Sequence, residues 1–98
     1  MVKIEKVVQT RTFRKIVKKL HKNQKQALDE AVRFLMENPL SGQQKKGDLL
    51  FLRVYKFKMV RQEMLLGYSY EDGSIVLELL NLGTHENFYR DTKNIFNE

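Results

Sequence analysis

The chain contains no cysteine, only one proline, and no uninterrupted apolar run long enough to cross a membrane. The absence of cysteine excludes a disulfide framework, a thiolate zinc site and a cysteine nucleophile. Residues 1–20 do not have the pattern of a signal peptide. The sequence has 98 residues, 42% of them apolar, without a repeat or a linker, and this predicts one compact domain over residues 1–98. Together these features predict a soluble protein of the cytoplasm.

Charge is unevenly distributed along the chain, which has a net charge of +6. Residues 1–27 contain nine basic residues and one acidic residue, and residues 45–61 contain six basic residues and one acidic residue. The segments 28–44 and 62–98 have a negative net charge. Basic blocks that alternate with acidic ones favour a polyanion or an acidic protein as partner, with an ordinary charged surface as the alternative.

The hydrophobic pattern predicts an α+β protein with the element order β-α-α-β-β-β-α. A strand is expected at 2–9, and then a helix from Arg11 with apolar residues on one face and a basic stripe, which includes Lys18 and Lys22, on the other. A second helix is expected to begin at an Asn23 N-cap, with Gln26 as its partner, and to end before Pro39.

Three further strands are expected at 49–58, 60–70 and 74–82, after a polar connection at 40–48. Asp72-Gly73 can form a tight hairpin in which both residues have a positive φ. Thr84 is expected to cap a short last helix that contains Phe88 and Ile95. The last three strands form an antiparallel meander, and two helices with one apolar stripe each need this sheet to cover them.

His85 is the most suggestive single residue, because it follows a buried strand at the start of a helix and can exchange a proton near neutral pH. Tyr89 lies four residues later, on the same helix face, where it can stack on a nucleobase. The alternatives are a solvent-facing first-turn histidine and a tyrosine in core packing. His21 is expected on the surface, and two distant histidines without an acidic cluster predict no metal site.

A group of basic residues surrounds the first strand of the meander. Lys56 and Lys58 share one face of that strand and Arg53 has the other. The set is completed by Arg61, Lys45 and Lys46. Aromatic residues are interleaved with these cations, which favours contact with phosphate over the alternative, side chains that only extend their charges into solvent at a sheet edge. No P-loop, dinucleotide-binding glycine motif, G-x-S-x-G or H-E-x-x-H motif occurs, which disfavours kinases, dehydrogenases, serine hydrolases and zinc enzymes.

Over almost its whole length the chain resembles the RelE/ParE superfamily of type II toxins from bacterial toxin–antitoxin pairs. The element order, the size and the basic balance support this resemblance, together with KGDLLFLRVYKFKMVR at 46–61 and NLGTHENFYRD at 81–91. Gly83-Thr84-His85 followed by Tyr89 is particularly similar to the YafQ branch. The resemblance implies a helical hairpin at the N-terminus, packed on a small, mainly antiparallel twisted sheet, and a short C-terminal helix.

The resemblance also implies a ribosome-dependent endoribonuclease, an mRNA interferase that cleaves mRNA in the ribosomal A site without a metal or cofactor. His85 would then be the general acid or base, and Tyr89 would stack on the mRNA. The implied charge-stabilising residues are Arg53 and Arg61, and the implied RNA-binding residues are Lys45, Lys46, Lys56, Lys58, Lys18 and Lys22. The implied protein partner is an antitoxin, whose complex with the toxin would bind operator DNA; no membrane is involved.

Two departures from the YafQ pattern keep other functions open. The middle strands contain no histidine, and the chain continues for nine residues after Tyr89. A longer last helix is more similar to the ParE branch, whose members inhibit DNA gyrase without chemistry of their own. A member that only binds its antitoxin and regulates an operon is the third alternative.

Overall fold

The computed structural model describes residues 3–95, and within them the chain forms five strands and three α-helices around one sheet. In chain order these are β1 (Lys6–Gln9), α1 (Arg11–Lys18), α2 (Lys22–Glu37), β2 (Gln43–Gln44), β3 (Arg53–Met59), β4 (Gln62–Ser69), β5 (Val76–Gly83) and α3 (His85–Ile95). A short 3-10 turn, Gly47–Leu49, lies between β2 and β3. The expected α+β order is confirmed, with β2 as an additional strand.

The strand order in the sheet is β1-β5-β4-β3-β2. β1 pairs with β5 in parallel, whereas all other neighbours are antiparallel, so the sheet is mainly antiparallel as expected. Thr10, directly after β1, donates its hydroxyl to the Leu80 carbonyl at 2.9 Å and also accepts the Phe13 N–H, which starts α1. This one side chain therefore ties β1 and α1 to the centre of the sheet.

The two faces of the sheet are covered by different helices. The helical hairpin of α1 and α2 packs on one face, where Phe13, Leu35 and Leu66 belong to the larger core. The other face carries a smaller core around Phe88 of α3 and Leu52. Alternate residues of each strand point to opposite faces, so every strand of the meander contributes to both layers. Full burial of one such side chain stabilises the fold by about 1.5–3 kcal/mol.

Several element boundaries differ from those expected. β1 begins at Lys6, and Val2 lies outside the described residues. α1 ends at Lys18, and α2 begins after an N-cap at His21, whose backbone N–H donates to the Gln24 side chain at 2.8 Å. The expected N-cap at Asn23 is therefore wrong, because His21, two residues earlier, takes this place, with Gln24 as its partner three residues later.

Both hairpins of the meander also differ from expectation. Arg61 does not lie in a strand: Met59 pairs with Gln62, which leaves Val60 and Arg61 as a two-residue turn, with Val60 at φ 63°. Between β4 and β5, the φ of Gly73 is 85°, whereas the φ of Asp72 is not positive. The expected tight hairpin, in which both residues have a positive φ, is therefore wrong. The predicted turn is present, since the Ser74 N–H closes a four-residue turn around Asp72 and Gly73 onto the Glu71 carbonyl at 2.8 Å, but the strands end outside it and the connection covers residues 70–75.

Thr84 does cap α3, which contains Phe88 and Ile95 as expected, and residues 96–98 lie outside the described part of the chain. None of the helices in residues 3–95 combines the length and the apolar character that a membrane span needs.

Candidate functional site

The N-terminus of α3 is fixed in place by its cap. The Thr84 carbonyl accepts the Phe88 N–H at 2.8 Å, and the Thr84 hydroxyl accepts the Asn87 N–H at 3.4 Å. His85 follows directly as the first residue of the helix, with an exposed side chain. The cap thus places an imidazole in solvent at the end of a buried strand.

α3 is attached to the sheet by one aromatic ring and one amide. Phe88 is completely buried, and its ring occupies space left by Gly67 on β4, where an added Cβ would lie 2.6 Å from the ring. The buried Asn81 on β5 donates its amide to the Phe88 carbonyl at 3.2 Å and accepts the Leu82 N–H at 2.9 Å. These contacts hold α3 rigidly against the sheet.

His85 and Tyr89 lie side by side, as their four-residue spacing predicts. Their ring centroids are 5.3 Å apart with the planes at 66°, and Tyr89 also meets Phe88 edge to face at 5.1 Å. The ammonium of Lys45 lies 5.2 Å from the centre of the Tyr89 ring. This cation–π contact brings a positive charge from the β2 region onto the tyrosine that stands beside the imidazole.

An open pocket of about 460 Å³ lies between α3, β3 and the segment around β2. Its lining combines one imidazole, two phenols, two ammonium groups and two neutral polar side chains. The residues that line it are Ser41, Gln43, Lys45, Val54, Tyr55, Lys56, Leu65, His85 and Tyr89. The pocket thus joins a group able to exchange a proton with two cations and an aromatic ring.

Two polar side chains, the buried Tyr68 and the partly buried Arg53, support the wall of this pocket from the opposite side of the sheet. The Tyr68 hydroxyl donates to the Pro39 carbonyl at 2.7 Å and accepts the Gly42 N–H at 2.8 Å. Arg53 donates to the carbonyls of Gly42 at 2.8 Å and Leu40 at 3.3 Å. Burial raises the pKa of Tyr68 above its ordinary value of 10.0, although the Gly42 hydrogen bond and the Arg53 charge oppose the shift. The neutral phenol is therefore the stable form.

The structure brings together only part of the predicted site. His85, Tyr89, Lys45 and Lys56 share the pocket. Arg53 does not join them, because its guanidinium binds the loop carbonyls at 40 and 42. Lys56 is also 4.0 Å from Glu63, but both side chains are exposed and solvent weakens such a pair.

The other predicted cations lie elsewhere on the surface. Arg61 is at the exposed tip of the β3–β4 hairpin, and Lys46 is exposed beside the 3-10 turn without lining the pocket. Lys58 lines a separate groove between β3 and α2. Lys18 and Lys22 are exposed at the junction of α1 and α2, on the helical side of the sheet. These five side chains are exposed to a large partner, but they do not line the pocket of the imidazole.

Sequence reasoning missed Ser41 and Gln43, which line the pocket beside Lys45. The segment has no hydrophobic alternation, so nothing in the sequence marked it as an extended strand with one side facing a site. Among residues 3–95, no cluster of three or more histidine, cysteine or acidic side chains is arranged to hold a metal ion.

Comparison with known proteins identifies the family. The model of a family described as ParE-like toxins of type II bacterial toxin–antitoxin systems matches residues 7–93. The chain therefore belongs to the ParE-like toxins. A search of curated proteins returned no match to its sequence.

Two solved structures are similar to this chain in fold. A free-state double mutant of the E. coli toxin RelE has a TM-score of 0.69 and 16% identity, over 100% of this chain and 94% of that chain. A chain of the intact E. coli RelBE toxin–antitoxin complex has a TM-score of 0.64 and 17% identity, over 80% of this chain and 93% of that one. At these identities the likeness concerns the fold, which is of the RelE type.

Proposed function

We propose that this toxin is a ribosome-dependent endoribonuclease that cleaves mRNA and thereby stops translation. The observation that carries the proposal is the shared pocket of His85, Tyr89, Lys45 and Lys56. A binding protein without chemistry has no need to place an imidazole in one pocket with two ammonium groups. Cleavage of a phosphodiester needs such a set.

In the proposed reaction the ribose 2′-oxygen attacks the adjacent phosphorus. The bond between phosphorus and O2′ forms, and the bond between phosphorus and O5′ breaks. The His85 imidazole accepts the proton of the 2′-hydroxyl, and an ammonium of Lys45 or Lys56 gives a proton to the leaving O5′. The products are a 2′,3′-cyclic phosphate and a free 5′-hydroxyl. The ammonium group of the other lysine stabilises the negative charge that develops on the phosphorane in the transition state.

Tyr89 orients the RNA in this proposal. The Lys45 ammonium covers its ring in the free protein, so a base that stacks there displaces the lysine toward the phosphate. Outside the pocket, the exposed cations Lys18 and Lys22 meet ribosomal RNA, whose phosphates attract such a surface at moderate salt.

Pulse labelling after induced expression tests the proposal, because it follows protein synthesis and DNA synthesis separately. We expect the wild type to stop translation first, with mRNA cut within codons. His85→Ala should reduce cleavage at least about a hundredfold, the lower range of a general acid–base contribution. His21→Ala is the matched control, since His21 is exposed at the start of α2 and outside the pocket. Equal toxicity of His85→Ala and wild type would refute the mechanism.

A cognate antitoxin is the proposed protein partner. One structural neighbour comes from a toxin–antitoxin complex, and this chain has a net charge of +6. An antitoxin with an acidic, partly disordered segment would cover the basic surface and block the pocket. Operator DNA would then be bound through the antitoxin. Mixing the toxin with a synthetic acidic antitoxin segment should protect mRNA from cleavage, and unchanged cleavage would contradict this arrangement.

Inhibition of DNA gyrase is the second candidate function. Two observations favour it: the matching family is that of the ParE-like toxins, and α3 continues six residues beyond Tyr89 to Ile95. In this case induction would stop DNA synthesis while translation continues, and purified toxin with gyrase would accumulate cleaved DNA. His85→Ala would then retain toxicity.

A further inference from the structure

Alternate residues of the segment 41–45 face opposite directions. Ser41, Gln43 and Lys45 line the pocket. The two residues between them form hydrogen bonds outside the pocket. Gly42 is hydrogen-bonded to the side chains of Tyr68 and Arg53, and the Gln44 amide donates to the Leu50 carbonyl at 3.0 Å. Residue spacing in an extended chain produces this alternation. One side of the segment is therefore an anchor, and the other side is available to a ligand.

Gln43 is the residue on this wall best suited to recognise a base. Its side chain is exposed and makes no hydrogen bond within residues 3–95, whereas the side chain of its neighbour Gln44 is engaged. Because β2 pairs with β3 through Gln43 and Val54, the backbone that carries the amide is fixed. Its carboxamide offers N–H donors and a carbonyl acceptor, and the fixed backbone confines it to one wall of the pocket.

We propose that Gln43 reads the nucleobase next to the cleaved phosphate and selects adenine. This inference rests on the proposed nuclease function and names the residue that gives it sequence preference. The lysines of the pocket are suited to phosphate, which is the same in every nucleotide, whereas a neutral amide responds to the base. Ser41, two residues earlier on the same wall, adds a hydroxyl that can donate or accept.

Adenine fits the amide better than the other bases do. It presents a neighbouring acceptor and donor on both of its hydrogen-bonding edges, N7 with N6 and N1 with N6. Guanine, cytosine and uracil present such a pair on the Watson–Crick edge alone, and the other edge of guanine has two acceptors, O6 and N7, which suits arginine or lysine. In single-stranded RNA both edges are accessible, and a purine also stacks well on an aromatic ring such as that of Tyr89.

The test uses ribosomes programmed with four mRNAs that differ in one nucleotide at the cleavage position. We expect the wild type to cleave the adenine message fastest. In Gln43→Ala the ratio of kcat/KM between adenine and the other bases should fall roughly tenfold, because a bidentate contact contributes discrimination of about this size. Gln43→Glu should shift the preference toward cytosine, since a carboxylate accepts from the cytosine amino group.

Gln44→Ala is the matched control. It removes the same side chain one residue away, and it should leave the order of the four messages unchanged. The same preference in Gln43→Ala as in wild type would overturn the inference, and so would a wild type that cleaves all four messages equally. A wild type that cleaves none of them on ribosomes would refute the nuclease function itself, and with it the role of Gln43. Cleavage by Gln43→Ala with the base preference of the wild type refutes the role of Gln43 and leaves the nuclease function standing.

Discussion

Removal of the Tyr68 hydroxyl is the most direct test of how the pocket wall is held. Tyr68→Phe deletes one oxygen that donates to Pro39 and accepts from Gly42, and it leaves the ring in the core. Each lost hydrogen bond costs about 0.5–1.5 kcal/mol, and the buried Gly42 N–H left without a partner adds about 1–3 kcal/mol. We therefore expect the free energy of unfolding to fall by about 2–6 kcal/mol, a large part of the total for a small domain.

Urea unfolding followed by circular dichroism measures this loss, and amide hydrogen exchange reports on the Gly42 N–H itself. We expect faster exchange at Gly42 and a lower urea midpoint with an unchanged slope. Tyr70→Phe is the control, because its hydroxyl lies two residues away and forms no hydrogen bond among the described residues. A loss below about 0.5 kcal/mol in Tyr68→Phe, or equal losses in the two variants, would refute the role assigned to the Tyr68 hydroxyl.

Two further predictions concern strain and alkaline pH. Val60→Gly should raise the urea midpoint by an amount equivalent to about 1 kcal/mol. Glycine adopts the φ of 63° without strain, and this gain outweighs its larger conformational entropy in the unfolded chain. A lower midpoint would contradict the inference that the backbone at Val60 is strained. Because burial raises the pKa of Tyr68, the folded state keeps this proton longer than the unfolded state does, and its contribution is complete below about pH 10. The stability difference between wild type and Tyr68→Phe should therefore shrink as the pH rises above 10, and a constant difference would contradict the shift.

The elements with strong periodicity were predictable from the sequence, and so was the start of α3. Thr84 caps the helix and His85 lies beside Tyr89, since both depend on local spacing that the backbone imposes. The turn at Val60 was not predictable, because valine and arginine are not turn residues and only the pairing of Met59 with Gln62 places them there. The strand boundary therefore depends on cross-strand register, which a single segment does not encode.

The position of Arg53 illustrates how local and family-based reasoning can conflict. Strand alternation already assigned it to the face opposite Lys56, whereas resemblance to a family assigned it to the catalytic set. In the structure Arg53 binds the carbonyls of Gly42 and Leu40 and supports the pocket wall from behind. Its partners are backbone atoms of an irregular loop, and loop conformation is the level of structure that sequence patterns describe least well.

The parallel pairing of β1 with β5 has a consequence for the order in which the molecule can assemble. Lys6 pairs with Val76, and Thr10 binds Leu80 across 70 residues of sequence. During synthesis β1 leaves the ribosome first and must wait with an open edge until β5 has emerged, while the helical hairpin and the β3–β4 pair can form from local contacts. α3 follows β5, so the pocket closes last. A nascent chain therefore becomes a toxin only when the sheet has been completed from both of its ends.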